Sequence, residues 1–224
     1  DYAVKLTGHE GKYHVGLLNS GVGASSTTPS SNLTIARIKR DVLEQSSIGL
    51  ISTFGDPNSD EHSSTHGVDF RHRTDKLFGN RVFEANSYLL SSHNSGRDDG
   101  TAFSLELLYP NDLINAGATY YRIDEDFDPK LGYVRRTGVN KFQNHVSWQP
   151  RFDNSQVVRQ AFLSYTNSIY ANLGGGGETI ENSVVLPRII LESTDEIFLK
   201  YSHFRDNPDY NFLVPGAGTI NEGD

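Results

Sequence analysis

The chain has no cysteine and no methionine among its 224 residues. The first absence excludes disulfides, thiolate metal centres and cysteine nucleophiles. It leaves the compartment open, although outer-membrane proteins are often cysteine-free. The second removes the initiator, so the chain is expected to be processed or partial. The opening "DYAVKLTG" lacks the basic start and apolar centre of a signal peptide. No run approaches the roughly eighteen apolar residues of a membrane helix. Hydrophobic residues make up only 36% of the chain, little for a soluble domain with a thick core. Positive charge is also scarce: a net charge of −8 argues against general nucleic-acid binding, which needs a basic face.

Helical apolar spacing is rare, whereas period-two alternation runs through most of the chain. "TAFSLELLYP" sets Phe103, Leu105, Leu107 and Tyr109 against Ala102, Ser104 and Glu106. "INAGATYYR" sets Ile114, Ala116, Ala118 and Tyr120 against Asn115, Gly117 and Thr119. "FQNHVSWQP" sets Phe142, Val146 and Trp148 against Gln143, His145 and Ser147. Such segments are strands with one apolar and one polar face. About twelve are expected, near 2–7, 13–19, 33–41, 47–55, 67–74, 77–91, 101–109, 113–123, 138–149, 156–170, 179–191 and 196–205.

The connections between them alternate in length. "GHEGK", "RDVLEQ", "TDK", "PND", "RFDNS" and "ESTDE" are short, with residues suited to tight turns. "SGVGASSTTPSS", "GDPNSDEHSSTH", "SHNSGRDDG", "DEDFDPKLGYVRR" and "NLGGGGE" are longer and polar. A soluble sandwich has no reason to keep such a rule. An up-and-down outer-membrane barrel does, with short turns on the periplasmic side and long loops outside. Closure would also pair every backbone group, as lipid requires. The expected fold is therefore all-β: an antiparallel transmembrane β-barrel region covering 1–224, part of a larger barrel. Tyr2, Tyr13, Tyr88, Tyr109, Tyr120, Trp148, Tyr165 and Tyr170 fall near expected strand ends, where interfacial girdles place aromatics. Pro187, inside "VVLPRII", is expected to distort its ladder.

Several stretches resemble chemistry. Asp124, Asp126 and Asp128 occupy the first three ligand positions of a calcium loop, but the sixth position is Pro129 and the twelfth Arg135. Proline cannot make the turn glycine makes there, and arginine cannot ligate, so the EF-hand reading fails. A looser calcium site is weighed against an ordinary acidic loop, and the ordinary loop is preferred. His62 and His66 have metal spacing only on a helix, and their surroundings are loop-like. "GGGG" at 174–177 lacks the ending of a phosphate loop, and "GVGASS" at 21–26 is no dinucleotide fingerprint. No Gly-x-Ser-x-Gly elbow supports a hydrolase. Asp69, Glu84 and Glu106, beside Arg71, Arg73 and Arg122, are expected to line a charged, hydrated interior. No catalytic, cofactor-binding or metal-binding residue is assigned, and no cofactor is expected.

Residues 34–51, "TIARIKRDVLEQSSIGLI", and 124–142, "DEDFDPKLGYVRRTGVNKF", carry a resemblance. Arg37, Lys39, Arg40, Asp41, Ile48 and Gly49 form the first pattern; Asp128, Pro129, Gly132, Tyr133, Val134, Arg136 and Gly138 form the second. Both look like the carboxyl-terminal region of large bacterial proteins with an amino-terminal family-nine-like carbohydrate-binding module. That region is an uncharacterised domain for which an outer-membrane barrel is expected. The module is absent here, and the chain ends "TINEGD" where barrels usually end on a strand with a terminal aromatic. An internal part of a barrel, or the ordered part of a longer chain, is the expectation. The resemblance implies a bacterial outer-membrane location, with lipid bilayer and lipopolysaccharide as partners. It further implies a non-enzymatic pore, scaffold or complex subunit, with carbohydrate reached through the missing module. The alternatives are a soluble secreted carbohydrate-binding β-protein and, behind it, a glycan-degrading enzyme with paired carboxylates.

Overall fold

The computed structural model describes residues 1–174, 179–207, 212–214 and 218–220. All regular structure among them is strand: β1 (Tyr2–Glu10), β2 (Tyr13–Val22), β3 (Ser31–Val42), β4 (Ser46–Phe54), β5 (Ser63–Leu77), β6 (Arg81–Asn94), β7 (Gly100–Pro110), β8 (Ile114–Ile123), β9 (Val139–Trp148), β10 (Val158–Asn172), β11 (Thr179–Leu191), β12 (Glu196–Phe198) and β13 (Tyr201–Asn207). A short hairpin, β14 (Phe212–Val214) with β15 (Gly218–Ile220), is separate. Strands β1 to β12 hydrogen-bond in chain order, and β13 also pairs with β11. The result is a thirteen-stranded up-and-down antiparallel sheet. Among the described residues no ladder joins β1 to β12 or β13, so the path is open where a closed barrel was expected. No helix of the described residues is long and apolar enough to cross a membrane, which says nothing of strands.

The expected strands are found in their places, several longer than anticipated. The turn expected at "TDK" lies inside β5, which continues to Leu77. The chain reverses instead at Phe78, Gly79 and Asn80, all with left-handed φ of 45°, 77° and 74°. Glycine and asparagine tolerate that region; Thr74, Asp75 and Lys76 do not offer it as readily. Because β6 and β10 run further than expected, Tyr88 and Tyr165 sit in mid-strand and leave the girdle, whereas Tyr13 opens β2 and Trp148 closes β9.

Pro187 interrupts one of its two ladders. The β10 side runs through Leu163↔Pro187 without a shift. On the other side the pairing stops between Arg188↔Phe198 and Val185↔Tyr201, and the single strand expected at 196–205 is recorded as β12 and β13. The register is the same across the gap. Leu199 N–H still donates to Pro187 O at 3.0 Å; proline has no N–H to return.

Two compact units are distinguished: Asp1–Thr74 with Ala85–Leu105 and Arg122–Gly138, and Asp75–Glu84 with Glu106–Tyr121 and Val139–Asp224. In the first, register puts Val15, Ile38, Leu50 and Val68 in one row across β2 to β5. Neighbouring rows add Leu6 with Leu17, and Tyr13, Ile48 and Phe70. In the second, Trp148 opposes Leu163, and Val146, Tyr165 and Val185 form a row.

These apolar faces are not where burial occurs. Val15, Ile38, Leu50 and Trp148 are 45%, 40%, 55% and 51% exposed. Among the described residues the buried apolar side chains are Ala102, Phe127 and Val139, against ten buried polar ones, including Ser92, Ser104, Ser147 and Asn167. In water, exposed faces ordinarily carry the polar groups and buried faces the apolar ones.

Candidate functional site

The polar face of the first unit is built by the same alternation. Arg37 reaches Asp69 at 2.8 Å from β3 to β5, across the intervening β4. Gly49 lies between them, and a side chain there would meet Asp69 Oδ2 at 2.5 Å and Arg37 Nη2 at 2.8 Å. Asp41 takes His14 Nε2 at 2.9 Å and Lys39 Nζ at 3.6 Å. Thus Arg37, Lys39 and Asp41, singled out by the sequence pattern, enter two ion-pair groups on this face, and Gly49 leaves room for the first of them. In the second unit the polar face holds His145 on Asn115 at 2.9 Å and Ser147 on Ser164 at 2.7 Å. Lys141 Nζ lies 4.9 Å from the Tyr170 ring centre.

A second assembly forms at the loop end of the first unit. Residues 124–138 leave β8 and fold back over the start of β7. Asp124 N–H donates to Thr101 O at 2.9 Å, while the Thr101 hydroxyl and N–H donate to its carboxylate. Phe127 is buried to 3% exposure. Asp128 N–H donates to Ser92 Oγ at 3.0 Å, and Asn94 Nδ2 donates to Asp128 O at 2.9 Å. Lys130 Nζ sits 2.7 Å from Asp128 and 3.8 Å from Asp56, tying in the loop after β4. Around this platform opens a cleft of about 770 Å³, lined in part by Arg97, Glu125, Asp126, Tyr133 and Thr137. Tyr133 is 89% exposed.

The three alternating aspartates therefore have different occupations. Asp124 is held by Thr101 and Arg122, Asp128 by Lys130 and Arg97, and Asp126 borders the cleft. No group of three or more His, Asp or Glu side chains placed to hold a metal is found among the described residues. His66 lies on β5, not on a helix; its Nδ1 is 3.0 Å from Ser52 Oγ and its ring 5.4 Å from Phe54. His62 lies in the preceding loop, where its carbonyl accepts Ser95 N–H at 3.0 Å. Gly21 and Val22 of "GVGASS" end β2. Of "GGGG", residues 175–177 lie outside the described residues.

No family model, curated protein or solved structure matches this chain. What it does has to follow from its geometry. Of the expected interior charges, Asp69, Arg71 and Arg73 share the polar parity of β5, whereas Arg122 turns to Asp124 at 3.3 Å. Three features were not read from the sequence. Arg37 as the partner of Asp69 lies 32 residues away. The Lys130–Asp56 link and the seat of Phe127 against Gly100 join separate loops and strands. Only the small residues at 49 and 100 hinted at close approach, and glycine is too common here to mark them.

Asp124 makes the loop sensitive to acid. Its carboxyl is held below the ordinary value of 3.8, chiefly by the Thr101 hydroxyl, with Thr101 N–H and Arg122 adding and burial opposing. A depressed folded value stabilises fully above the unfolded value and is lost as pH falls through the folded one. The stability difference between the wild type and Asp124→Asn is therefore expected to be full at about pH 6 and to shrink below 3.8. Thermal unfolding across that range checks it. A difference independent of pH would mean that the carboxylate's charge is not what holds the loop.

Proposed function

We propose that this chain is a stretch of β-barrel wall in a bacterial outer membrane, serving without catalysis as a pore, scaffold or complex subunit. The observation that carries the reading is the inversion of the faces. Aliphatic rows lie uncovered while serine and asparagine side chains such as Ser92, Ser104, Ser147 and Asn167 are buried. Water penalises contiguous uncovered apolar surface beyond a few hundred Å², and such patches mark membrane or protein contact. A lipid-facing strand needs this arrangement, apolar outward and polar inward.

Dimensions agree with the reading. From Ile114 to Tyr120 the apolar positions of β8 extend over about 20 Å at 3.4 Å per residue, against the ~25 Å apolar band of such barrels. The turns at 11–12, 43–45, 78–80 and 111–113 are short and 23–30, 55–62 and 124–138 are long, but the connection at "RFDNS", expected to be short, spans 149–157 and departs from the alternation. The resemblance of 34–51 and 124–142 to the barrel region of carbohydrate-module proteins points the same way. On this reading the bilayer covers the apolar rows, and the loop platform around Asp124 and Asp128 faces lipopolysaccharide. A soluble carbohydrate-binding sheet would have to leave Val15, Ile38, Leu50 and Trp148 in water.

The deciding experiment is extraction of the full-length protein from native membranes, followed by electrophoresis with and without heating. The expected result is release only by detergent and a band whose migration shifts on heating. Release in plain buffer, with no shift, would overturn the membrane reading.

A further inference from the structure

We propose that Arg40, seated on the Tyr13 ring and reinforced by Lys12, binds the phosphate of an anionic phospholipid at the turn-side edge of the apolar face. The inference rests on the membrane reading and adds to it a residue, an edge and a lipid class. Register places Arg40 opposite Tyr13 on β2 and Ile48 on β4, in the row that ends on Phe70. Ile38 and Val42 flank it along β3 on the same face. No other strand residue on that face between Tyr2 and Thr74 is a lysine or arginine. Its guanidinium carbon lies 5.4 Å from the centre of the Tyr13 ring. Among the described residues neither Arg40 nor Lys12 has an ion pair. Asp41, the next residue, belongs to the opposite face and is engaged by His14 and Lys39. Glu10 shares the row, but Tyr13 and the width of β2 separate it from Arg40.

The two edges of this face are finished differently. At the loop end the Tyr2 hydroxyl donates to Asn19 Oδ1 at 3.0 Å and accepts from Asn32 Nδ2 at 2.8 Å, so the polar groups there serve one another. At the turn end a permanent charge has a ring face and no anion. Beside hydrocarbon that charge is costly, and the cost falls towards the headgroups. The stem of Arg40 can lie along apolar neighbours while its head reaches that level. An exposed tyrosine belongs at the same level. A phosphate offers the guanidinium two parallel, charge-assisted hydrogen bonds. Lys12, in the turn just before Tyr13, adds a second positive charge at this edge. Together they discriminate between lipids. Phosphatidylcholine brings an ammonium group of its own beside its phosphate; phosphatidylglycerol does not, and each Lys or Arg near the surface favours the anionic lipid.

Photocrosslinking tests the seat on the full-length protein in vesicles of equal parts phosphatidylglycerol and phosphatidylcholine. Benzoylphenylalanine replaces Ile48, which is exposed and directly opposite Arg40. Lipid adducts at that position are counted by mass spectrometry. Phosphatidylglycerol adducts are expected to exceed phosphatidylcholine adducts by about fivefold or more, and added salt is expected to shrink the excess. Arg40→Gln is expected to bring the two close to parity. Lys5→Gln makes the same change in net charge on the polar face of exposed β1 and is expected to leave the excess intact. Equal adducts in the wild type, an excess that survives Arg40→Gln, or an excess lost equally in Lys5→Gln would overturn the seat and leave the lipid cover standing. No adduct with either lipid would overturn the membrane reading, and the seat with it.

Discussion

Leu50→Arg is expected to destabilise the protein by about 2–4 kcal/mol, the cost of arginine near the middle of a lipid-facing barrel band. Leu50 lies within the Val15–Ile38–Leu50–Val68 row and is 55% exposed. Arginine would clash with nothing if that row faced water, and a surface substitution of this kind costs within about 0.5 kcal/mol. The two environments thus predict values that differ several-fold for one substitution. Thr7→Arg is the matching control, because Thr7 lies on the polar face of fully exposed β1 and should accept arginine at little cost. Urea unfolding of the full-length protein reconstituted in vesicles measures both. Equal, small effects at the two positions would show that lipid does not cover the row, and the face would then need a different partner.

Gly100→Ala is expected to lift the 124–138 loop from its platform. A Cβ at Gly100 would lie 2.1 Å from Phe127 N, 2.3 Å from Asp126 C and 2.4 Å from Phe127 Cα. All three are backbone atoms, so no rotamer change relieves the overlap; the loop itself has to move. Moving it withdraws Phe127 from its buried site and breaks the Asp128–Ser92 and Asn94–Asp128 hydrogen bonds. Loss of a buried phenylalanine costs about 3–5 kcal/mol. Even the lower figure raises the open population of the loop by about a hundredfold, at 1.4 kcal/mol per factor of ten. Trypsin reads this directly, since Lys130, Arg135 and Arg136 all lie in the loop. Cleavage there is expected to accelerate by a similar factor, while Gly16→Ala, with open space at its Cβ, leaves the rate unchanged. An unaltered rate in Gly100→Ala would show that the loop does not depend on this close approach.

The two substitutions separate what can be read from a chain from what cannot. Strand content and the faces of each strand follow from period two, because adjacent side chains must point to opposite sides whatever the partner. Phe103, Leu105 and Leu107 were separable from Ser104 and Glu106 before any fold was known. Most turn lengths were legible for the same local reason, with a displacement at 78–80, where left-handed φ at Gly79 and Asn80 outweighed the polar "TDK", and a miss at "RFDNS", which lies in the long connection 149–157. Pro187 was legible because a missing N–H is a property of the residue itself.

Contacts across strands were not legible. Alternation says that Arg37 and Asp69 each have a polar side, but their meeting depends on registers across two ladders and on an absent side chain at Gly49. The acidic loop shows the same limit: spacing favoured an ordinary acidic loop over shared ligation but named no partners, and folding gave Asp124 to Thr101 and Asp128 to Lys130. Spacing along a chain records which groups are near in sequence. It does not record which cation or hydroxyl another strand brings to them, and in a sheet those partners decide how a charge is used.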